Sequence, residues 1–397
     1  MGGIDWLVIG GGPHGVHLAA RLVGEGRVDA ERLRILDPGD RLLDRWKTFT
    51  AATGMSHLRS PGVHHLDLDP FSLIRFAGDR RGRTPGLLRG HYFQPSLELF
   101  NTHSDGVIER FGLGDRHLRG HALRIDRAKG GVRVTTCDGS HVEAARVVLA
   151  IGASEQPEWP QWAPRDEPRI QHIFDGHGHY SGPQPEDTER LLVVGGGISA
   201  VQTAVRLATE GHSVDLVSRH PLRVHKFDSD PGWLGPKLMA HFCREQNPDQ
   251  RREIIRRARH RGSVTSEARQ ALRAGIASGN LAIHEGKVAD LRVERGGLHL
   301  RLASGGVLEG NRLYLATGFA TRRPGGPMLD RLVKDFDLPC AACGYPLVDA
   351  WLRWHPRIYV SGPLAELELG PVSRNIAGAR RAGKRLVDSL PRLRSAA

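Results

Sequence analysis

Trp6-Leu7-Val8-Ile9-Gly10-Gly11-Gly12-Pro13-His14-Gly15 is the stretch on which the fold turns. Four apolar residues in a row predict a short buried parallel strand, and the glycines that follow predict a tight turn into a helix. Gly10 permits the turn, and Gly12 has no Cβ to block an approaching diphosphate. Pro13 and His14 open the helix, and Gly15 lets it pack closely on the strand. The helix runs through Val16, Leu18, Ala19, Ala20 and Leu22, and its unpaired N–H groups and dipole attract negative charge. Leu33-Arg34-Ile35-Leu36-Asp37 reads as the next strand. Its terminal carboxylate comes about 20 residues beyond the last glycine, where it can accept hydrogen bonds from a ribose diol. An acid there suits an unphosphorylated ribose, so this site is expected to take FAD.

The same grammar recurs 185 positions later as Leu191-Leu192-Val193-Val194 followed by Gly195-Gly196-Gly197-Ile198-Ser199-Ala200. Its helix carries apolar spacing through Val201, Ala204, Val205 and Leu207. The strand that follows, Ser213-Val214-Asp215-Leu216-Val217, ends in Ser218-Arg219 rather than in an acid. A guanidinium and a hydroxyl at the ribose edge fit a 2′-phosphate, which a carboxylate would repel, so NADPH is expected here. A single glycine-rich turn is a weak signal. Two in one chain, each with a strand before it and a helix after it, point to two dinucleotides held face to face.

With 397 residues the chain suits two or three domains and can bury a large core. The net charge is +12, which raises nucleic acid or a membrane surface as partners. Of 56 basic residues, however, 49 are Arg and 7 are Lys, a skew that a GC-rich genome produces. No nucleic-acid-binding motif accompanies the charge. A solvated basic surface that attracts anionic cofactors is the expectation, with neither nucleic acid nor membrane as partner. The first strand begins almost at Met1, and no apolar run approaches the roughly 20 residues of a membrane span, which predicts a cytoplasmic protein. Cys137, Cys243, Cys340 and Cys343 fit a reducing compartment better than a disulfide framework. No metal site is expected, and the oligomeric state, a homo-oligomer included, stays open.

Residues 40–90 are rich in Arg, His, Pro and Asp and weakly periodic, which predicts a long functional loop lining the flavin or the substrate. Trp46, Met55 and Leu58 are its candidate cofactor contacts, and Arg80-Arg81-Gly82-Arg83 reads as an exposed tip. His57 and Arg59 are the catalytic candidates. An imidazole could move a proton near neutral pH, and a guanidinium could hold a substrate carboxylate. The strand Arg146-Val147-Val148-Leu149-Ala150 stops at Ile151-Gly152, and Arg312-Leu313-Tyr314-Leu315-Ala316 stops at Thr317-Gly318 in the same manner. Helices are predicted over 236–244, 249–261 and 265–278. Pro371, after Gly370, is expected to begin a helix running to about Leu390 whose N-terminus faces the flavin. The expected class is α/β, with two Rossmann-like three-layer domains. An NAD(P)H-binding domain over 165–312 is inserted in a discontinuous FAD-binding domain made of 1–160 and 313–397.

The chain resembles the class B flavin monooxygenases, a group of two-dinucleotide-domain flavoproteins. The resemblance rests on both glycine turns, Asp37, the segment from Trp46 to Gly54-Met55, Ile151-Gly152, Ser218-Arg219 and Ala316-Thr317-Gly318-Phe319. Trp46 followed by Gly54-Met55 is most similar to the lysine and ornithine N-hydroxylase branch. Where that branch has an Asn-Glu pair, this chain reads Phe227-Asp228-Ser229-Asp230-Pro231-Gly232-Trp233. A second fingerprint of the group is loosely echoed by Phe174-Asp175-Gly176-His177-Gly178-His179-Tyr180. The resemblance implies hydride transfer from NADPH to FAD, then oxygen transfer through a flavin hydroperoxide to a small-molecule nucleophile, with molecular oxygen as co-substrate. N-hydroxylation of an amine or amino acid heads the list.

Two other classes stay open. Cys340-Ala341-Ala342-Cys343 has the spacing of a low-pKa thiol pair, as a nucleotide-dependent disulfide reductase would use. A non-catalytic flavoprotein would carry the same turns, because fold and cofactor do not fix function.

Overall fold

The computed structural model describes residues 3–78, 86–175 and 189–393. Two sheets organise it, the first mixed with a parallel centre and the second parallel. The first runs in the order Arg353–His355, Ile358–Val360, His141–Leu149, Ile4–Ile9, Leu33–Asp37, His117–Arg119, so both ends of the chain contribute to it. Ile358–Val360, His141–Leu149, Ile4–Ile9, Leu33–Asp37 and His117–Arg119 are mutually parallel, and Ile9 is held in register with both Leu36 and Leu149. The second sheet runs Leu281–Glu285, Ser213–Ser218, Arg190–Val194, Arg312–Leu315, Ile170–His172, parallel throughout. The expected α/β class with two Rossmann-like halves is therefore what the chain forms.

Burial explains the strand readings. Trp6, Leu7, Val8 and Ile9 are covered on both faces, as a parallel strand between helices must be. In the second sheet the side-chain alternation is plain. Leu191 and Val193 pack with Ala200, Val201, Ala204 and Leu272 of the helices Ile198–Thr209 and Ser266–Ala277. Leu192 and Val194 face the other way, onto Leu298, Leu300 and Leu302 of an antiparallel meander. A one-residue slip would invert every one of these contacts, so the register is strongly specified.

Four expectations need correction. Residues 40–90 are not one long loop, since they contain the helices Asp44–Thr53 and Ser72–Gly78. Pro371 does not open the last helix, which spans Ile376–Asp388. The chain turns twice first, with Ser373 N–H on Gly370 O and Asn375 N–H on Val372 O, and the Ser373 hydroxyl is drawn to Gly362 O at 2.6 Å. Arg312–Leu315 belongs to the second sheet, between Arg190–Val194 and Ile170–His172, so the return to the first sheet comes after 315 rather than at 313. The basic helix is Pro248–Ala258, and Arg259 leaves it in an extended conformation. The run 80–83 and residues 176–180 of the looser fingerprint lie outside the described residues. No helix among the described residues is long and apolar enough to cross a membrane.

Beneath the first sheet lies a set of buried imidazoles. His65 accepts the Asp67 N–H at Nδ1 (3.2 Å) and donates from Nε2 to Pro70 O (3.0 Å), so its bonding fixes the neutral tautomer. It meets His103 edge to face at 4.9 Å, and His103 bonds Ser72 Oγ at 3.0 Å. Burial is the leading cause that holds His64 and His103 down to about 4 and His65 to about 3. The unfolded chain takes up protons from the ordinary value of 6.5 downward, whereas the folded chain does so only near 4 to 3. Stability is therefore retained above pH 6.5 and lost progressively below it. Thermal melting should show a clear drop in Tm between pH 7 and pH 5, and a His65→Asn variant, less stable at pH 7, should show a smaller drop. A flat profile over that range would contradict this account.

Candidate functional site

Both glycine turns sit at the carboxyl ends of central strands, where the strand order reverses and open α/β sheets bind ligands. They are built alike. Gly10 N–H donates to Leu36 O on one side while Ala150 N–H donates to Ile9 O on the other. Gly195 N–H donates to Val217 O and Ala316 N–H to Val194 O in the same pattern. A Cβ on Gly10 would lie 2.5 Å from Ala150 O, and one on Gly195 would lie 2.4 Å from Ala316 O. The helix Pro13–Gly24 comes so close that a Cβ on Gly15 would overlap Gly10 O. Around Gly12, by contrast, nothing lies within 4 Å of where a Cβ would be.

The first turn is suited to a diphosphate and a ribose diol. Its helix has no side-chain cap, so first-turn N–H groups face the open side of Gly12. Asp37 Oδ2 accepts the Gly11 N–H at 2.6 Å and Oδ1 accepts the Gly39 N–H at 2.9 Å. Each oxygen keeps a second lone pair for a hydroxyl. His14 bonds Ser361 Oγ at 2.9 Å, and burial holds it neutral, near 4, against the opposing effect of the Asn375 and Arg374 backbone. The turn is thereby tied to the last segment of the chain.

The second turn opens into a cleft of about 1120 Å³. Gly195, Gly197, Ile198 and Ser199 line it together with Thr317 and Gly318. Ser218 does not, because its buried hydroxyl donates to His220 O at 2.7 Å. Arg219, His220 and Arg223 do line it, and Arg223 donates to Arg261 O at 2.7 Å. No acid stands at the end of that strand. Phe174 and Phe319, stacked at 4.9 Å and 17°, supply an apolar wall. Thr317 Oγ1 donates to Glu158 O and meets His172 Nε2 at 3.1 Å.

The catalytic candidates separate. Arg59 borders the cleft, but its guanidinium is occupied. Nε donates to Lys226 O at 2.9 Å, Nη1 to Asp228 Oδ1 at 2.6 Å, and Nη2 to His225 O, Phe227 O and Ser263 Oγ at 2.6, 2.8 and 3.0 Å. It acts as a strut between the segment after Met55 and the 225–228 loop. His57 stands apart from the cleft lining, half-buried, with Nε2 on Gly86 O at 2.8 Å. Trp46 packs on Phe100 at 5.4 Å and donates to Asn101 Oδ1. Leu58 is buried in the first core, and Met55 packs against it half-buried. Gly152 turns with φ +66 beside open space. Gly370 packs against Met239 Sδ, and Pro371 O accepts from Arg259 at 2.9 Å.

The sequence reading passed over the residues that dominate the cleft, namely Arg252, Arg256, Arg259, Arg261, Glu366 and Arg374. The signal for two of them was the spacing 252, 256, which falls on one side of the helix Pro248–Ala258, with Arg259 just past its end. Cys340 and Cys343 are free thiols in a tight hairpin outside the cleft lining, where Ala341 N–H bonds Tyr345 O. Burial pushes the Cys340 thiol up, the opposite of what a thiolate nucleophile needs.

A model of the pyridine nucleotide-disulphide oxidoreductase family matches residues 4–384. No curated protein matches the chain. Among solved structures it is similar to the ornithine N-hydroxylase of Kutzneria sp. 744, solved with reduced FAD, NADP+ and L-ornithine. That pair has 18% identity and a TM-score of 0.78, over 98% of this chain and 99% of that one. The L-lysine 6-monooxygenase of Pseudomonas syringae gives 19% and 0.71, over 97% and 98%. The bacillithiol disulfide reductase of Bacillus cereus gives 15% and 0.62, over 98% of both chains. At these identities the likeness concerns the fold.

Arg59→Ala should leave one carboxylate and several carbonyls without their donor, a loss of about 1 to 3 kcal/mol for each buried group left unsatisfied. The expected outcome is a lower Tm with faster proteolysis between residues 225 and 230. An unchanged melt would mean that Arg59 holds nothing together.

Proposed function

The chain belongs to the pyridine nucleotide-disulphide oxidoreductase family, and on that premise we propose that it is an FAD-dependent, NADPH-using monooxygenase that delivers one oxygen atom of O2 to a nucleophilic heteroatom. An amine or amino acid nitrogen is the first candidate. The observation that carries this reading is the difference between the two ribose edges, Asp37 at the first and Arg219 with Arg223 at the second. The former suits the unphosphorylated ribose of FAD and the latter the 2′-phosphate of NADPH. Bound FAD supplies hydride acceptance and oxygen activation.

The protein's own part is binding, orientation and exclusion of water. The turn at Gly10 and Gly12 and the uncapped helix after Pro13 receive the FAD diphosphate. Gly195, Gly197, Ile198 and Ser199 receive that of NADPH. The Phe174 and Phe319 wall keeps the cleft dry where hydride passes. Arg59 holds the 225–228 loop against the first half. The division into an FAD-binding part, 1–160 plus the residues after 315, and an NADPH-binding part between them belongs to the same proposal.

Disulfide reduction is the competing activity, since a bacillithiol disulfide reductase shares the fold. The placement of Cys340 and Cys343 away from the cleft argues against it. With FAD-reconstituted protein, NADPH oxidation should consume O2 and quicken with a heteroatom nucleophile from a panel of amines, amino acids and thioethers. Arg219→Ala should raise KM for NADPH by about 10 to 100-fold, the loss of charge-assisted contacts, and leave NADH turnover nearly unchanged. Cys340→Ser with Cys343→Ser should not alter the rate. Oxidation that needs a disulfide acceptor and stops in the double variant would overturn the proposal.

A further inference from the structure

The cleft holds more positive charge than one dinucleotide accounts for. Among the described residues, nine cationic side chains line it against three carboxylates, Glu158, Asp228 and Glu366. Asp228 is taken by Arg59. Two guanidinium groups hold Glu366, which is 1% exposed, and a third, Arg259, lies within electrostatic reach of both. Arg252 is ion-paired with Glu366, and Arg374 Nε reaches its Oε2 at 2.7 Å. Among the described residues Arg259 is ion-paired with no carboxylate and donates to Pro371 O at 2.9 Å.

These groups are held in place. Arg252 also donates to Thr321 O at 3.0 Å and lies over the Tyr345 ring at 4.1 Å. Arg374 donates to Tyr345 Oη at 2.9 Å. Burial lowers the Arg259 guanidinium to about 10; Asp228 opposes the shift, and Arg374, Arg261 and Arg252 add to it. It stays charged at neutral pH. Arg261 lies within electrostatic reach of both Arg219 and Arg374, so it stands between the two cationic groups. Partly buried cations in excess over carboxylates are unfavourable unless an anion completes them. Planar guanidinium forks are suited to oxyanions.

Resting on the reading of this cleft as the NADPH and substrate site, we propose that Arg252, Arg259 and Arg374 form an oxyanion subsite for the substrate, and that the substrate carries two negative charges, as a phosphate monoester or a pair of carboxylates. One buried carboxylate among three guanidinium groups leaves two charges to be met. A zwitterion with a cationic side chain would leave them unmet and add a third.

The test uses calorimetry on FAD-reconstituted protein saturated with NADP+, with inorganic phosphate, glutarate and L-ornithine as probes. FAD content and NADP+ affinity are measured first, so a protein that takes up neither fails the underlying reading before any probe is added. Phosphate or glutarate should bind, more tightly than ornithine, and the tighter of the two tells a phosphorylated from a dicarboxylic substrate. Arg259→Gln and Arg374→Gln should each weaken that binding about tenfold or more while NADP+ affinity stays within about twofold. Arg259→Gln is the decisive variant, because it leaves both partners of Glu366 in place. The proposal is overturned if neither anion binds, if NADP+ displaces them, if ornithine binds best, or if the variants lose NADP+ affinity by the same factor.

Discussion

Two backbone carbonyls set the terms for everything else in this molecule. Ala150 O and Ala316 O press on Gly10 and Gly195 so closely that any side chain there would collide with main chain. The strands cannot part to relieve it, because the next hydrogen bonds of the ladder, Ala150 N–H to Ile9 O and Ala316 N–H to Val194 O, fix the spacing. The glycines thus follow from sheet geometry before any ligand is considered. Once the turn is fixed, the helix behind it can only run back along the sheet with its N-terminus aimed past the strand end. The end of the neighbouring strand then falls beside the turn, which brings one residue there, an acid in the first half and an arginine in the second, next to the glycines, and on the proposed function that residue selects the ribose.

A second constraint joins the halves. The first turn is braced from the far end of the chain by Ser361 on His14, while Ser373 reaches back to Gly362 O. Arg380 in the last helix donates to the carbonyls of His65, Asp67 and Leu68, which fixes the segment that leads away from the first turn. Arg59 then carries that segment onto the 225–228 loop of the second half. The walls of the cleft therefore come from elements far apart in sequence but mechanically continuous, and a strut of many hydrogen bonds suits a cleft that must hold two ligands in fixed relation.

What could be read from the sequence is what local physics determines. The strand, turn and helix around Gly10 and Gly195 repeat a pattern whose periodicity and glycine spacing need no distant partner, as do the helices Pro236–Arg244 and Ser266–Ala277. What escaped reading depends on partners brought in by the fold. Ser218 promised a hydroxyl for a phosphate, but its own turn claims it. Arg59 promised a ligand contact, but five acceptors from elsewhere converge on it. Arg374 sat in a motif read as a helix start, and only the double turn after Gly370 carries it to Glu366 and Tyr345.

The charge of +12 bears the same lesson at the scale of the whole chain. Composition alone suggested a basic surface bathed in solvent. On the outer faces, however, arginines meet acids, as Arg133 meets Glu143 and Arg301 meets Asp290, and such exposed pairs cancel much of the field they would produce. Within the cleft the balance is different, since two of its three described carboxylates, Asp228 and Glu366, are already engaged by the arginines beside them. A concave wall of low polarizability concentrates the potential of like charges instead of dispersing it. The surplus among the described cleft residues can thus act on an anion both as an attraction at a distance and as a set of donors at contact.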